Sequence, residues 1–314
     1  MKRLQNVIAE SGLTLPVAVL FGLVVWLAGG LVNRNLWPQL ACYGAAVYLI
    51  VEMSNRHALL RVRSRMVSST FIMMSCTVPF IFSSLSSMVV LLCIVASFLL
   101  LLHTYQVPWA VGLVFYAFVP IGVASFFFVQ VLWYVPLLWV LMASQLQSFS
   151  WRTWLASIIG LLAPYWFALL WFVYVRDFTP LAMHFAQLGE VGVALPSYSL
   201  SWLLPMFFAL VLSVVGMLHF WQYSYEDKIR IRLLYGLFST LLLFTLVAVV
   251  LQPQHYKVLM PLCFFFASPI VAHLFTFTRG RLSNILFFVV IGIGVAIAAF
   301  NLYVLNAEHV GRIH

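Results

Sequence analysis

Arginine is the residue of this chain whose spacing points most directly to chemistry. Two short segments between apolar runs, 55–65 and 226–232, concentrate guanidinium groups, and a third follows at 279–281. Because a guanidinium fork can donate two parallel hydrogen bonds to a phosphate, these segments predict a site for a lipid phosphate head group. The alternative interpretation is that they only fix the orientation of the chain in a membrane. The arginines concerned are Arg56, Arg61, Arg63, Arg65, Arg230, Arg232, Arg279 and Arg281.

The longest polar break in the sequence contains Asp177, His184 and Glu190. A carboxylate and an imidazole could act there as acid and base, or the segment could be a solvated surface loop. No histidine pair in the chain follows a metal-ligand spacing such as HExxH, and no phosphate-binding glycine motif occurs. We therefore predict neither a metal site nor a cofactor.

A third polar cluster precedes a late apolar run, where His255, Tyr256 and Lys257 follow one another. An imidazole and an ammonium group at a membrane surface could reach a lipid-linked phosphate or sugar. The alternative is that Tyr256 anchors a helix at the interface while Lys257 extends its charge toward water. Both interpretations place the cluster at the edge of a bilayer.

The composition indicates the class of protein that must position these clusters. Hydrophobic residues make up 65% of the 314 residues and charged residues 7%, against about 25% charged in soluble domains. Runs of 18 or more apolar residues recur, which predicts an all-α, polytopic transmembrane bundle rather than a β-barrel. No linker divides the chain, so we predict one integral membrane domain, 1–314. The net charge of +9 lies between the apolar runs, where it favours contact with lipid head groups over nucleic acid.

The apolar runs predict eleven helices. The run at 131–143 is short for a full span, and the sequence leaves open whether it crosses. With the N-terminus in the cytoplasm and the C-terminus outside, twelve of the 16 Lys and Arg residues fall on the inner side. The predicted helices are 13–32, 36–53, 66–83, 87–102, 109–129, 131–143, 154–175, 201–221, 233–251, 257–277 and 286–305.

Two stretches, 61–79 and 225–284, resemble a family of bacterial polytopic inner-membrane proteins. In that family a basic loop similar to Arg61-Val-Arg-Ser-Arg leads into a third helix that contains several polar residues. A late helix is followed by a turn of the type Thr-Arg-Gly-Arg-Leu-Ser-Asn. The resemblance covers about a third of the chain and brings no assigned activity with it. It implies a multi-pass protein of the bacterial inner membrane.

The segment from His255 to Pro261 is similar to a late segment of membrane glycosyltransferases that use polyprenyl-phosphate sugars. In those enzymes a basic-Tyr-x-Leu-Pro stretch begins a helix at the outer face. They also carry an acidic residue in the first outer loop, whereas this chain reads Asn33-Arg34-Asn35-Leu36-Trp37 there. The resemblance implies an outer-face site for a lipid-linked saccharide, and the missing acid leaves enzymatic activity open.

The sequence thus favours an inner-membrane protein of cell-envelope assembly that handles a polyprenyl-phosphate-linked substrate. One alternative is a non-catalytic membrane subunit with envelope protein partners. Another is a transporter of a small solute, although we expect no acidic residue at the centre of the bilayer, where proton- or ion-coupled carriers usually bury one.

Overall fold

A computed structural model describes residues 4–62, 64–189, 199–278 and 280–313, with side chains described up to residue 307. Within these ranges the secondary structure is helical throughout, as the composition predicts. Short 3-10 turns join several of the α-helices. The α-helices are α1 Leu4–Glu10, α2 Thr14–Ala28, α3 Trp37–His57, α4 Met66–Cys76, α5 Leu85–Leu101, α6 Val111–Phe127, α7 Tyr134–Ser144, α8 Trp151–Val175, α9 Thr179–Ala186, α10 Leu200–Tyr223, α11 Ile229–Leu251, α12 Tyr256–Phe277 and α13 Arg281–Ile313.

Six helices within the described ranges are long and apolar enough to cross a membrane. Helices α1 and α2 would add a seventh if they formed one span, but they meet at 86°. Helix α7 has 11 residues, so length alone does not make it a span. The predicted number of eleven spans and the predicted side of the N-terminus stay predictions. The six spans are Leu85–Thr104, Trp151–Val175, Leu200–Glu226, Ile229–Leu251, Pro253–Phe277 and Arg281–Ala307.

Helix α12 is the centre of the bundle. Its side chains are buried along nearly the whole helix, and it packs against α4, α5, α10 and α11. A helix that is apolar on every face has no preferred side toward water or lipid, so it is stable when surrounded by other helices. The aromatic residues Phe264, Phe265 and Phe266 fill the space around it.

Helix α4 is shorter than the sequence predicts. The predicted helix 66–83 ends as an α-helix at Cys76, and a 3-10 turn, Pro79–Ser83, follows. Proline disfavours the α conformation in the residue before it, and Val78 has φ −129° and ψ 65°. The chain therefore leaves the helical path at Val78.

One end of the bundle, here called the basic end, carries Arg61, Asp227 and Thr278. The ion pair between Arg61 and Asp227 joins two loops that lie far apart in the sequence. Helix α1 contacts the same end, because Gln5 Nε2 donates a hydrogen bond to Thr278 Oγ1 at 2.9 Å. Three of the predicted arginine positions, Arg61, Arg65 and Arg281, therefore belong to loops or helix ends on one side of the bundle.

The other end of the bundle, here called the opposite end, carries Thr77, Ser201 and Asn301. The buried Asn301 Nδ2 donates to the Thr77 carbonyl at 2.7 Å and to the Ser201 carbonyl at 3.1 Å. These two bonds join α13 to the end of α4 and to the start of α10. The Thr77 carbonyl lies just beyond the end of α4, where carbonyl groups lack an intrahelical partner, and the Ser201 carbonyl lacks one because Pro205, four residues later, has no N–H.

Helices α6 and α8 form a hairpin at the side of the bundle. A Cβ atom on Gly122 of α6 would lie 2.4 Å from the Leu161 carbonyl oxygen, and one on Gly160 of α8 would lie 2.4 Å from the Phe115 carbonyl oxygen. Small residues let two membrane helices approach closely. Most of the remaining surface of α8 is exposed, including Trp166, so α6 is the main support of α8.

Candidate functional site

An elongated cavity of about 540 Å³ lies between α2, α4, α10, α12 and α13. We call it the lateral groove. Its volume falls within the range of about 300–1,000 Å³ that ligand pockets occupy. Its walls are almost entirely apolar. The lining residues are Ile8, Ser11, Leu13, Thr14, Val17, Ala18, Phe21, Met66, Ser69, Thr70, Met73, Met74, Phe208, Leu212, Val271, Phe275, Phe287, Val290, Ile291 and Val295.

The lateral groove opens sideways, between α2 and α13. Its exposed lining residues lie on these two helices or directly before α2: Leu13 is 71% exposed, Val17 63% and Ile291 37%. At the opposite end the two helices close together, because Asn306 Nδ2 donates to the Ala28 carbonyl oxygen at 3.4 Å. The opening therefore faces the surface that would contact lipid if α13 spans a bilayer.

Two short polar stretches line the lateral groove near the basic end, and most of their hydroxyls are engaged. Thr14 Oγ1 donates to the Ile8 carbonyl, and Ser69 Oγ donates to the Arg65 carbonyl at 3.1 Å. Thr70, only 7% exposed, makes no hydrogen bond among the described residues. Its hydroxyl is thus a polar group beside an otherwise apolar cavity.

Helix α1 borders the lateral groove at the basic end. Asn6 Nδ2 donates to the Thr276 carbonyl at 3.0 Å and to the Thr278 carbonyl at 3.1 Å, and Gln5 Nε2 donates to the Phe275 carbonyl. These amides satisfy the last carbonyls of α12, which lack partners within the helix. The side chains Ile8 and Ser11 then face the groove.

A group of charged residues around a buried carboxylate lies at the basic end. Asp227, whose side chain is fully buried, pairs with Arg61 Nε at 2.8 Å through Oδ1 and with His273 Nε2 at 3.0 Å through Oδ2. Burial of a carboxylate is costly unless a charge and hydrogen bonds compensate it. We call Arg61, Glu226, Asp227 and His273 the charged cluster.

Arg61 makes further contacts that hold its guanidinium group at the surface. Its NH1 atom lies 3.1 Å from Glu226 Oε2, and its Cζ atom lies 4.5 Å from the centre of the Phe277 ring. It also lines a polar pocket of about 390 Å³, together with Ser54 and Asn55 of α3. Arg61 can therefore reach both the buried Asp227 and a surface pocket.

Arg230, another predicted phosphate ligand, lies against histidine. Its NH2 atom donates to His57 Nδ1 at 3.2 Å, and its Cζ atom lies 5.4 Å from the Tyr105 ring centre. Burial, with smaller contributions from the nearby His103 and Arg230, lowers the pKa of His57 to about 4. His57 is therefore neutral near pH 7, and its Nδ1 is free to accept the bond from Arg230.

The remaining predicted arginines are spread over the basic end. Arg56 pairs with Glu52 one helical turn earlier. Arg65 and Arg232 are exposed. Arg63 and Arg279 lie outside the described residues. Arg281 is also exposed. Of the predicted phosphate ligands that the structure describes, Arg61 and Arg230 make defined contacts with other elements of the bundle.

The predicted cluster of His255, Tyr256 and Lys257 lies at the opposite end, away from the lateral groove. Tyr256 is fully buried; its ring stacks on Trp202 at 4.8 Å, and its hydroxyl donates to the Trp202 carbonyl at 2.8 Å. His255 Nε2 lies 3.1 Å from Gln130 Nε2. Lys257 is exposed. Tyr256 therefore has a packing role, while His255 and Lys257 remain nearer the surface.

We expect Tyr256→Phe to lower the free energy of unfolding by about 1 kcal/mol, because it leaves the Trp202 carbonyl without its donor. Lys257→Ala, at the next position, should change it by less than about 0.5 kcal/mol, since the side chain is exposed. Chemical denaturation of the purified protein in detergent measures both. Equal losses would mean that the hydrogen bond of Tyr256 does not stabilise the fold.

The predicted acid–base pair is not assembled among the described residues. Asp177 is exposed and accepts a hydrogen bond from the Thr179 N–H at 2.9 Å, which lowers the pKa of its carboxyl. His184 lies on α9 and packs edge-on against Phe185, without contact to Asp177. Glu190 lies outside the described residues.

Sequence reasoning did not identify the residues that the structure brings together most closely. In the sequence, Asp227 belongs to the segment 226–232, which is noted there only for its arginines, and neither His273 nor Thr70 is predicted as a site residue. A buried charge is the signal that could have found Asp227, but burial becomes visible only with the fold. Among the described residues, no group of three or more His, Cys, Asp or Glu side chains could hold a metal ion.

The lateral groove and the charged cluster are therefore separate sites at the basic end. On α12, Val271 and Phe275 line the groove, whereas His273 faces the charged cluster.

No protein-family model matches the chain, and no curated protein or solved structure resembles it.

Proposed function

We propose that this protein binds a polyprenyl-phosphate-linked substrate during cell-envelope assembly, in the inner membrane of a bacterium. The observation that supports this most directly is the lateral groove. It is apolar and open toward the surface that would contact lipid, with a volume of about 540 Å³. A long hydrocarbon chain could enter such a groove from the bilayer without passing through water.

Charge complementarity favours an anionic head group over a neutral one. The lateral groove ends beside the first turns of α2 and α4, since Thr14 and Met66 line it. Helix N-termini carry a partial positive charge that attracts anions. Arg65 lies immediately before α4 and is exposed. A phosphate at this end of the groove would meet both the helix dipoles and a guanidinium group.

The unpartnered hydroxyl of Thr70 supports the same orientation. It lies on α4 one turn beyond Met66, and it can donate a hydrogen bond into the groove. A simple hydrocarbon would leave that hydroxyl unsatisfied, whereas the phosphate oxygens of a lipid head group could accept from it. The proposal therefore places the phosphate toward the basic end and the polyprenyl chain along the groove.

Filling the lateral groove should abolish binding. We expect Ala18→Trp to lower labelling by a photoreactive polyprenyl phosphate at least about tenfold, because an indole would occupy the space of the chain. Val19→Trp is the matched control: it is the next residue on α2, it is exposed, and it does not line the groove. Labelling of the purified variants in lipid nanodiscs measures the difference.

Competition then tests the chemical class of the ligand. Unlabelled polyprenyl phosphate should displace the probe from the unmodified protein more effectively than the matching polyprenol or a diacyl phosphatidic acid. Equal displacement by the polyprenol would contradict recognition of the phosphate. Equal displacement by phosphatidic acid would show a general lipid groove, and equal labelling of the two tryptophan variants would exclude the groove itself.

A further inference from the structure

The formal charges of the charged cluster sum to zero only when His273 carries a proton. Glu226 and Asp227 contribute two negative charges, and Arg61 contributes one positive charge, among groups that contact one another. His273 is the fourth member, bonded to Asp227 Oδ2 at 3.0 Å. A neutral His273 leaves one negative charge without compensation, and a protonated His273 brings the sum to zero. The side chains of Asp227 and His273 are fully buried, so water screens their interaction little, whereas Glu226 is 45% exposed and its charge is partly screened.

The ring of His273 has a nitrogen available for that proton. If Nε2 donates to the Asp227 carboxylate, the other nitrogen, Nδ1, carries a lone pair. That atom is buried and makes no hydrogen bond among the described residues. Protonation of Nδ1 would convert the ring into a cation that the carboxylate of Asp227 already faces.

The ring of His273 is surrounded by aromatic rings and by one other imidazole, that of His219. Its ring faces Phe220 and His219 of α10, Tyr235 of α11 and Phe277 of its own helix. The Tyr235 hydroxyl donates to the Pro269 carbonyl at 3.2 Å. His219 has a centroid separation of 5.6 Å from His273, and its Nδ1 also lacks a described hydrogen-bond partner.

We propose that His273, oriented by Asp227, is a buried proton-binding site at the basic end. The proton comes from water at this end, where Arg61 and Glu226 are partly exposed, and adds to Nδ1 while the Nε2–Asp227 bond persists. No other bond is made or broken. Ionisable side chains buried within membrane helices are costly, so their presence points to a function.

Proton binding by His273 also weakens the electrostatic attraction between Asp227 and Arg61. When His273 is neutral, Arg61 is the cation that compensates Asp227. When His273 carries the proton, Asp227 is compensated from the other side, and Arg61 is freer to bind an anion in the 390 Å³ pocket that it lines. The site therefore couples proton uptake to anion binding by Arg61, whether or not the lateral groove binds a polyprenyl phosphate.

The charge on His273 can be followed directly by nitrogen-15 NMR of histidine-labelled protein in nanodiscs, with His273→Gln identifying its signals. We expect the imidazolium signature to appear as the pH is lowered. Asp227→Asn removes the compensating charge, so protonation should require a lower pH. Arg61→Gln removes a competing cation, so protonation should occur at a higher pH. Opposite shifts in two variants cannot arise from a common loss of folding.

Glu52→Gln serves as the matched control, because Glu52 also lies at the basic end but pairs with Arg56. It should leave the signal of His273 unchanged. A His273 that stays neutral over the whole accessible pH range would overturn the proposal, and so would shifts of the same sign in Asp227→Asn and Arg61→Gln. Inorganic phosphate should bind the unmodified protein more tightly at the lower pH, and an affinity independent of pH would exclude the coupling to Arg61.

Discussion

Gly160→Leu is expected to detach α8 from α6 and to lower the melting temperature of the purified protein by about 5 °C or more. A Cβ atom at this position would lie 2.4 Å from the Phe115 carbonyl oxygen, which is far inside van der Waals contact. Because this oxygen belongs to the backbone of α6, no rotamer change relieves the clash. Overpacking typically costs about 1–3 kcal/mol, and a backbone displacement places this variant at the upper limit.

Gly112→Leu provides the matched comparison on α6. No atom lies within 4 Å of a Cβ atom built at Gly112, so the same added side chain meets open space. We expect its melting temperature to equal that of the unmodified protein or to exceed it slightly, since glycine weakens a helix. A thiol-reactive dye that labels the buried Cys263 on unfolding measures both variants. Equal melting temperatures would contradict the close packing of α6 on α8.

Asn301→Leu is expected to lower the free energy of unfolding by about 2 kcal/mol. The substitution keeps the approximate size of the side chain but removes the donor that satisfies the Thr77 and Ser201 carbonyls. A buried acceptor left unsatisfied costs about 1–3 kcal/mol, while hydrogen bonds between membrane helices average about 0.6 kcal/mol in measured cases. If each of the two lost hydrogen bonds costs an amount between these limits, about 1 kcal/mol, the total is about 2 kcal/mol.

Asn306→Leu separates the hydrogen-bonding role of Asn301 from the chemistry of the substitution. Asn306 lies later on α13, is exposed, and makes one long bond of 3.4 Å to the Ala28 carbonyl. Its replacement should change the free energy of unfolding by less than about 0.5 kcal/mol. Denaturation of both variants in the same detergent gives the comparison, and a loss at Asn306 as large as that at Asn301 would remove buried hydrogen bonding as the cause.

Helix class and most helix positions follow from the sequence because hydrophobicity is a local property. The predicted helix 257–277 differs from α12 by one residue, and 154–175 ends where α8 ends. Local chemistry also explains the error at 66–83, where Pro79 ends the α-helical path early. A single proline therefore decides where this helix stops.

The candidate sites were less predictable because they depend on pairs of distant residues. Arg61 and Asp227 belong to different loops, and His273 belongs to a third element, so no spacing in the sequence relates them. Formal charge identified Arg61 as a possible phosphate ligand, and the structure adds that it already has carboxylate partners. Charge counting alone cannot distinguish an arginine that awaits a ligand from one that is paired.

The lateral groove was not predictable for a different reason. Its lining residues are ordinary apolar side chains, and nothing in their types separates those that face a cavity from those that face lipid or another helix. Two adjacent residues of α2 show this, since Ala18 lines the groove and Val19 does not. A cavity depends instead on how neighbouring helices are arranged. Here α2 and α13 are in contact at the opposite end, through Asn306 and the Ala28 carbonyl, and the groove lies between them further along.

The contacts of α1 have a consequence for biogenesis. Asn6 bonds to the Thr276 carbonyl, 270 residues later in the chain, so α1 can acquire this partner only after α12 has been made. Until then its amide side chains must remain solvated or be held by another factor. Docking of α1 therefore follows the synthesis of α12, and truncation before Thr276 would leave α1 without these partners.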